Sequence, residues 1–366
     1  MLKNGTDCKM AADTALRLAR HFLSTAPDDF RPDGYDGEIV YGGGESIVYC
    51  VASLWYNALE CARAMGDRAL EDELAAAFQP FLGEKRHELA YVPHVDFAAA
   101  GTVPLEIAIL RGDGGALAVG LDFAEAQWAR PRPDIVPPRN PIPHERRMDW
   151  WRGGYSPDTR LWIDDAYMIT ALQAQAYRAT GDAKYLGRAA DELLLYIGRL
   201  GRPDGLFNHQ AESGRVAWLR GCGWMAAALA IMLRHLPAGD ARRPALLAAF
   251  LKMADAILAS QHPDGLWGQV VDAPESWTES SGSAMFAYAL HEGVRLGLID
   301  ADRAMPAFRR ALAALLGRMD ENGGLHGTCI GTGPSNDKAH YLGRHRATGD
   351  PHGQAAMMWV CRSMLE

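Results

Sequence analysis

The sequence predicts an all-α protein, an (α/α)6 barrel of six helical hairpins. Two kinds of punctuation, and the segments between them, carry that reading. The first mark is Gly-Asp, at Gly66-Asp67, Gly112-Asp113, Gly181-Asp182 and Gly239-Asp240, with Leu298-Ile299-Asp300 in the next equivalent place without the glycine. Glycine closes one helix in the left-handed conformation and aspartate caps the next, so each mark reads as a tight helix–helix turn. The second mark alternates with the first. Pro32-Asp33-Gly34-Tyr35, Pro203-Asp204-Gly205-Leu206-Phe207 and Pro263-Asp264-Gly265-Leu266-Trp267 look like copies of one loop, and Asn322-Gly323-Gly324-Leu325-His326 looks like a degenerate copy. The last three lie about 60 residues apart, and six units of that length fill the 366-residue chain.

Between the marks the segments read as helices. Leu16, Leu18, Ala19, Phe22 and Leu23 form one face of the first. Others are expected over 47–64, 68–82, 98–111, 114–129, 163–179, 183–200, 222–236, 242–261, 280–297, 301–318 and 352–365, twelve in all. Met225 to Leu233 is apolar nearly all round, and such a helix is buried on two sides. Buried inner helices with more polar outer ones fit a closed ring. An open solenoid needs polar capping repeats, which this sequence lacks. The chain is read as one domain, 1–366.

Hydrophobic residues make up 48 % and charged residues 22 %, the balance of a soluble globular protein with ample core. A net charge of −8 argues against nucleic acid or an anionic membrane as a partner. No apolar run approaches the ~20 residues of a membrane span, and the first residues lack an apolar signal-peptide core, so the expected compartment is the cytoplasm. Cys8, Cys50, Cys61, Cys222, Cys329 and Cys361 are scattered without a CxxC pair, so buried free thiols are expected.

In a ring of hairpins the short Gly-Asp turns close one end and the longer loops gather at the other, where a site belongs. Residues 130–161 stand out there, with seven Pro, seven Arg and no helical period. They lead into Arg160-Leu161-Trp162-Ile163-Asp164-Asp165-Ala166-Tyr167-Met168, a pair of acids between a Trp and a Tyr at a helix start. Acids in a first turn are also what the helix dipole and capping favour. Other clusters share the loop-rich end. Tyr41-Gly42-Gly43-Gly44-Glu45 has neither the preceding strand nor the GK[ST] of a phosphate loop. Asp96, in Pro93-His94-Val95-Asp96-Phe97, is either a plain N-cap or a second site carboxylate. His209 follows a PDG loop, where a lone histidine is commonly solvated. Trp218-Leu219-Arg220-Gly221-Cys222-Gly223-Trp224 sets an Arg between aromatic faces, a plausible clamp for a sugar carboxylate. Trp277 to Phe286 reads as a Thr/Ser capping run. No His, Cys or Glu spacing matches a zinc or iron site, no nucleophile elbow is present, and no cofactor is implied. Carboxylates, Trp, His and Arg in one cleft point to carbohydrate chemistry.

These residues carry a family resemblance. Trp162-Ile163-Asp164-Asp165-Ala166-Tyr167-Met168, backed by Thr180-Gly181-Asp182-Ala183-Lys184-Tyr185-Leu186, resembles the unsaturated rhamnogalacturonyl hydrolases, family 105 glycoside hydrolases related to the family 88 unsaturated glucuronyl hydrolases. The likeness continues through Asn208-His209, Trp218-x-Arg220-Gly-x-Gly-Trp224, Asp264-Gly265-Leu266-Trp267, Glu279-Ser280-Ser281, Gly331-Thr332-Gly333 and Asp350-Pro351-His352-Gly353. It covers residues 155–365 well and the first third loosely.

The resemblance implies the same (α/α)6 barrel. It also implies removal of a 4,5-unsaturated uronic acid from the non-reducing end of lyase-generated, rhamnogalacturonan-type oligosaccharides, as in pectin degradation, by hydration of the C4=C5 double bond. Carried over by motif, Asp164 looks like the general acid/base and Asp96 like the second carboxylate. A nearby negative charge is then expected to raise the Asp164 pKa. Tyr41, Arg152, Trp162, His209, Trp218, Arg220 and Trp224 look like substrate contacts, Arg152 standing where the family often offers Lys and Cys222 where it often has Asn. The expected partner is a small oligosaccharide bearing an unsaturated uronate. An inverting glycosidase or epimerase on the same barrel, and a non-catalytic carbohydrate-binding protein, are the competing readings.

Overall fold

Long helices form where the punctuation places them. The computed structural model describes residues 5–24, 47–89, 91–135 and 142–366. Tyr41, the glycines after it and the Pro32-Asp33-Gly34-Tyr35 loop lie outside the described residues. The helices are α1 (Gly5–Ser24), α2 (Tyr49–Met65), α3 (Arg68–Leu82), the single turn α4 (Val95–Ala98), α5 (Thr102–Arg111), α6 (Gly114–Ala126), α7 (His144–Arg152), α8 (Ile163–Thr180), α9 (Ala183–Leu200), α10 (Leu219–His235), α11 (Arg243–Ala259), α12 (Ser280–Arg295), α13 (Ala301–Leu316), the short α14 (Lys338–Leu342) and α15 (Pro351–Leu365). Two antiparallel two-residue ladders, Trp267–Gly268 with Thr278–Glu279 and Thr328–Cys329 with Arg346–Ala347, brace loops between them.

Helices α2, α5, α8, α10, α12 and α15 form the inner ring, each packing on the next and α15 packing back on α2. Every residue of α12 from Ser280 to Gly293 is buried, as a helix enclosed on both sides requires. Helices α3, α6, α9, α11 and α13 lie outside, each paired with the inner helix before it. The outer face pattern is plain in α9, where Tyr185, Leu186, Ala189, Ala190, Leu193 and Tyr196 are buried at helical spacing. The sixth pair is discontinuous. Helix α1 packs on α15, so the two ends of the ring complete it together.

The turns behave as their residues dictate, with one exception. Gly66, Gly112 and Gly181 hold φ of 70°, 67° and 74°, and Asp67, Asp113 and Asp182 accept from backbone N–H groups of the next helix. The turn before α13 uses Gly297, at φ 69°, three residues ahead of the capping Asp300. Gly239 is the exception: Asp240 caps within the turn, on the Arg242 N–H, and α11 starts after Arg242. The PDG loops prove to be one repeated device. Gly205, Gly265 and Gly323 hold φ of 88°, 88° and 90°, and a Cβ on them would sit 2.6, 2.7 and 2.8 Å from the carbonyl oxygens of Lys252, Arg310 and Arg17. Each loop thus leans on the next outer helix, and the degenerate copy at Gly323 leans on α1.

One expectation fails here. Residues 130–161 hold a helix, α7, despite their lack of an apolar period. Its only buried residues are Arg147 and Met148, so there was no stripe to read. Cys50, Cys61, Cys222, Cys329 and Cys361 are buried free thiols, and Cys8 is half-buried. Among the described residues no helix is long and apolar enough to cross a membrane.

Candidate active site

All six inner helices start at the loop-rich end, so their N-termini converge there. Unpaired N–H groups make each terminus partly positive, a setting that favours an anion. Helix α8 supplies the centre. Leu161, buried just before it, holds φ of 58°, the one non-glycine in the left-handed region among the described residues. That is a strained conformation for a leucine. It sets Trp162 at the cap position and Asp164 and Asp165 in the first turn. The His209 loop is stitched alongside, with the Ile163 N–H donating to the His209 carbonyl at 2.9 Å and Trp162 bridged to Gln210.

As a result His209 Nε2 stands 3.4 Å from Asp164 Oδ2, and the aspartate side chain is 11 % exposed. The two groups attract but are off hydrogen-bonding alignment. The His209 ring lies 4.4 Å from Trp218, 5.7 Å from Tyr341 and 6.1 Å from Trp162, and its Nδ1 is 2.9 Å from Tyr341 Oη. His209 is therefore a buried member of an aromatic box and not a solvated loop residue.

Arg160 ties the acids together. Its Nε and Nη2 reach Asp165 Oδ1 at 2.9 and 2.5 Å, and Nη2 also reaches Asp96 Oδ1 at 2.9 Å. Tyr196 donates to Asp165 Oδ2 at 2.9 Å, so Asp165 is buried and fully engaged. Asp165 aims Arg160, and Arg160 holds Asp96, whose side chain remains 23 % exposed. Asp96 is not a plain N-cap, because His94 takes that place and its Nδ1 accepts from the Asp96 N–H. The Arg160 guanidinium also lies 4.7 Å over the Trp162 ring.

Arg220 is fully buried in the first turn of α10, 4.5 Å over the Trp218 ring. It donates to the carbonyls of Cys329 and Ile330, the latter at 2.8 Å, and to Ser281 Oγ at 3.3 Å. Glu279 caps α12 beside it, accepting from the backbone N–H groups of Ser281, Gly282 and Cys329. The cap is thus the glutamate and not the Thr/Ser run. Trp224 lies deeper, in contact with Tyr167, Tyr49 and Trp359. Five buried polar atoms of this cluster have no aligned hydrogen-bond partner among the described residues: Asp164 Oδ2, His209 Nε2, Trp218 Nε1, Arg220 Nε and Trp224 Nε1. Orphans gathered in one place signal a ligand that would complete them.

The electrostatics of Asp164 differ from the sequence expectation. Burial raises its pKa, but His209, Arg160 and Arg220 outweigh burial and hold it below the usual aspartate value. Among the groups that reverse the expected sign His209 lowers it most, and the Arg160 and Arg220 charges add to it. Arg152 also departs from expectation. It is exposed, pairs with Asp149 at 3.0 Å, and lines a separate cavity with Arg130, Arg132, His144 and Glu145. The structure thus brings together Asp96, Asp164, Trp162, His209, Trp218 and Arg220, sets Trp224 beneath them, and leaves Arg152 aside. The sequence reading assigned no role to Arg160, Tyr49, Tyr196, Tyr341 or His352.

The profile of Glycosyl Hydrolase Family 88 matches residues 142–366. The chain belongs to this family. Among characterised relatives, this family 88 chain is 36 % identical over 111 residues to the unsaturated 3S-rhamnoglycuronyl hydrolase of Formosa agariphila, covering 30 % of this chain and 29 % of that protein. It is 27 % identical over 173 residues to the protein of that name from Alteromonas sp., covering 44 % and 42 %. The chain therefore spans less than half the length of these relatives. Of solved structures, a possible GH105 member from Salmonella enterica aligns over 97 % of this chain and 94 % of its own, at 19 % identity and TM-score 0.78. The unsaturated glucuronyl hydrolase of Bacillus sp. GL1 aligns over 96 % of each, at 21 % identity and TM-score 0.67. These likenesses establish a shared helical-barrel fold.

Proposed function

We propose that the protein removes a 4,5-unsaturated uronic acid from the non-reducing end of lyase-generated oligosaccharides, with Asp164 as general acid/base. The orphaned polar atoms of Asp164, His209, Trp218 and Arg220, at the anion-favouring end of a family 88 barrel, carry this reading. The substrate brings its own carboxylate. Placed against the Arg220 and Arg160 charges, that carboxylate offsets the two cations that depress Asp164 and lifts its pKa toward protonation. Asp164 then gives its proton to C4, and the positive charge that develops at C5 is shared with the ring oxygen. Water adds at C5, and its proton returns to the Asp164 carboxylate. The resulting hemiketal opens and releases the aglycone. Asp96, held by Arg160, stands beside the reacting ring as the second carboxylate. Trp162, partly exposed, offers a ring face to the sugars, and Trp218, buried against His209 and Arg220, backs both of those groups.

Rhamnose is the first aglycone to test, because two relatives are named for a 3S-rhamnoglycuronyl substrate. The decisive experiment follows the loss of absorbance of the conjugated uronate over a panel of lyase products, with wild type and Asp164→Asn. Decay with wild type and none with the variant is expected. A flat trace across the panel, alongside an active control hydrolase, removes the hydration reading. Turnover of saturated glycosides instead supports an inverting glycosidase.

A further inference from the structure

Tyr49, His352 and Asp350 form a hydrogen-bonded chain beside Asp164 that the hydration scheme above does not use. Tyr49 opens α2 and is partly exposed, whereas Asp350 and His352, at the start of α15, are buried. Tyr49 Oη is 2.7 Å from His352 Nε2, and His352 Nδ1 is 2.6 Å from Asp350 Oδ1. The phenol lies within the electrostatic reach of Asp96, Asp164 and Arg220. Tyr49 and His352 are 303 residues apart and meet because α15 closes the ring onto α2.

The proton inventory gives this chain a direction. An aspartate carboxylate only accepts, and Asp350 Oδ1 also takes the His352 backbone N–H at 2.9 Å. The hydrogen on the imidazole therefore sits on Nδ1, facing the carboxylate. Burial, then the Arg220 charge, pushes the His352 pKa down and keeps the ring neutral. Nε2 is left as a lone pair, and the Tyr49 hydroxyl donates to it. Burial, with Cys50, Asp96 and Asp164 nearby, pushes the Tyr49 pKa up, so the hydroxyl keeps its proton. With that hydrogen committed to His352, the phenol oxygen can only accept from any further group.

We propose that Tyr49 is a positioning residue, locked by His352 and Asp350 as an acceptor facing the cleft, where it receives a hydrogen bond from the water that adds to the double bond. This rests on the hydration reading. One O–H of the water points to Tyr49, which turns an oxygen lone pair toward C5. No bond forms or breaks at Tyr49, and the water's proton goes to the Asp164 carboxylate as before.

The test combines kinetics with a readout of the histidine itself. Tyr49→Phe keeps the ring and removes the acceptor, and it should lower kcat about 10- to 100-fold with KM changed by less than about threefold. His352→Leu should lower kcat by a similar factor, and the double variant should be no slower than the slower single one, because the residues act as a unit. Nitrogen-15 NMR of the wild type, with His352 assigned by difference against His352→Leu, should show the Nδ1–H tautomer. Wild-type kcat in Tyr49→Phe, losses that multiply in the double variant, or an Nε2–H tautomer each overturn the proposal. If the wild type turns over no unsaturated uronide, the hydration reading falls and takes this proposal with it. An active wild type with an equally active Tyr49→Phe removes only the proposal.

Discussion

The two ends of the barrel both bury charge, and they use it differently. At the turn end, each inner helix finishes with an arginine in its last turn: Arg63, Arg111, Arg178, Arg234, Arg295 and Arg362. These cations face the negative ends of six helix dipoles. Arg178 pairs with Glu60 and Glu106 at 2.6 and 2.7 Å, and Arg362 pairs with Glu60 at 3.2 Å, around a cavity of about 30 Å³. A space of that size suits a water or two. At the loop end the acids lead, at the positive ends of the same dipoles. There Asp165 is saturated, but Asp164 and Asp96 stay partly open and several donors stay unpaired. Along α8 the two settings are 14 residues apart, from Asp164 to Arg178, about 21 Å at helical rise. At the turn end each of these acids has an arginine against it, whereas at the loop end two acids stay partly open, with room for a ligand.

Substitutions can separate the two ends. The largest effect should be on activity at the loop end. Asp164→Asn is expected to lower kcat about 10³-fold in a continuous absorbance assay while the melting temperature stays within a few degrees. A loss below tenfold would take Asp164 out of proton transfer. At the turn end the pattern should invert. Arg178→Met leaves buried Glu106 without its cation and should cost about 3 kcal/mol by urea unfolding, with kcat of the folded enzyme unchanged. A large loss of kcat there would mean that the ends are coupled.

Glu192 offers a third handle, since it is buried beside the loop end and has no cation partner among the described residues. It accepts from the Ser156 N–H at 3.1 Å and meets Thr159 Oγ1, and burial raises its pKa to about 8. A carboxyl group with a raised folded-state pKa stabilises the fold fully below its unfolded value of about 4.5, and that stability is lost as pH rises toward 8. Glu192→Gln mimics the protonated acid. Its melting temperature should match the wild type near pH 4.5 and exceed it increasingly up to pH 8. Parallel curves would show that Glu192 does not titrate in this range. The smallest effect belongs to Arg152→Ala. Its exposed pair with Asp149 contributes below about 1 kcal/mol, and kcat/KM should stay within about twofold.

The ring was legible because its signals are local. A Gly-Asp turn is written in two adjacent residues, and an all-apolar helix in ten. Helix α7 was hidden because Pro143 precedes it and its residues are mostly charged, so it has no apolar stripe to read. The site was legible where its residues sit in short motifs, as Asp164, His209 and the Trp218–Trp224 stretch do. It was illegible where function depends on a contact across the ring. Arg160 stood in the stretch first singled out, yet its grip on Asp96 spans 64 residues and has no sequence signal. The misplaced sign of the Asp164 pKa has the same origin, since the acids were visible but the approach of His209, and of Arg160 and Arg220, to Asp164 was not. Arg152 was carried over on position alone, and its side chain turns outward.

The pairing of α1 with α15, and of α15 with α2, has a consequence for how the molecule assembles. Five hairpins form between neighbours in sequence, with the short loop closures that make early folding fast. The seam joins residues separated by nearly the whole described chain, as the Tyr49–His352 contact shows. Until α15 is in place, the faces of α2 and α12 that it covers are bare, and α1 keeps only its smaller contact with α2. Without α15 the ring is an open, apolar crescent. The same contact that covers it also brings His352 to Tyr49, so closing the ring and joining those two side chains are one event.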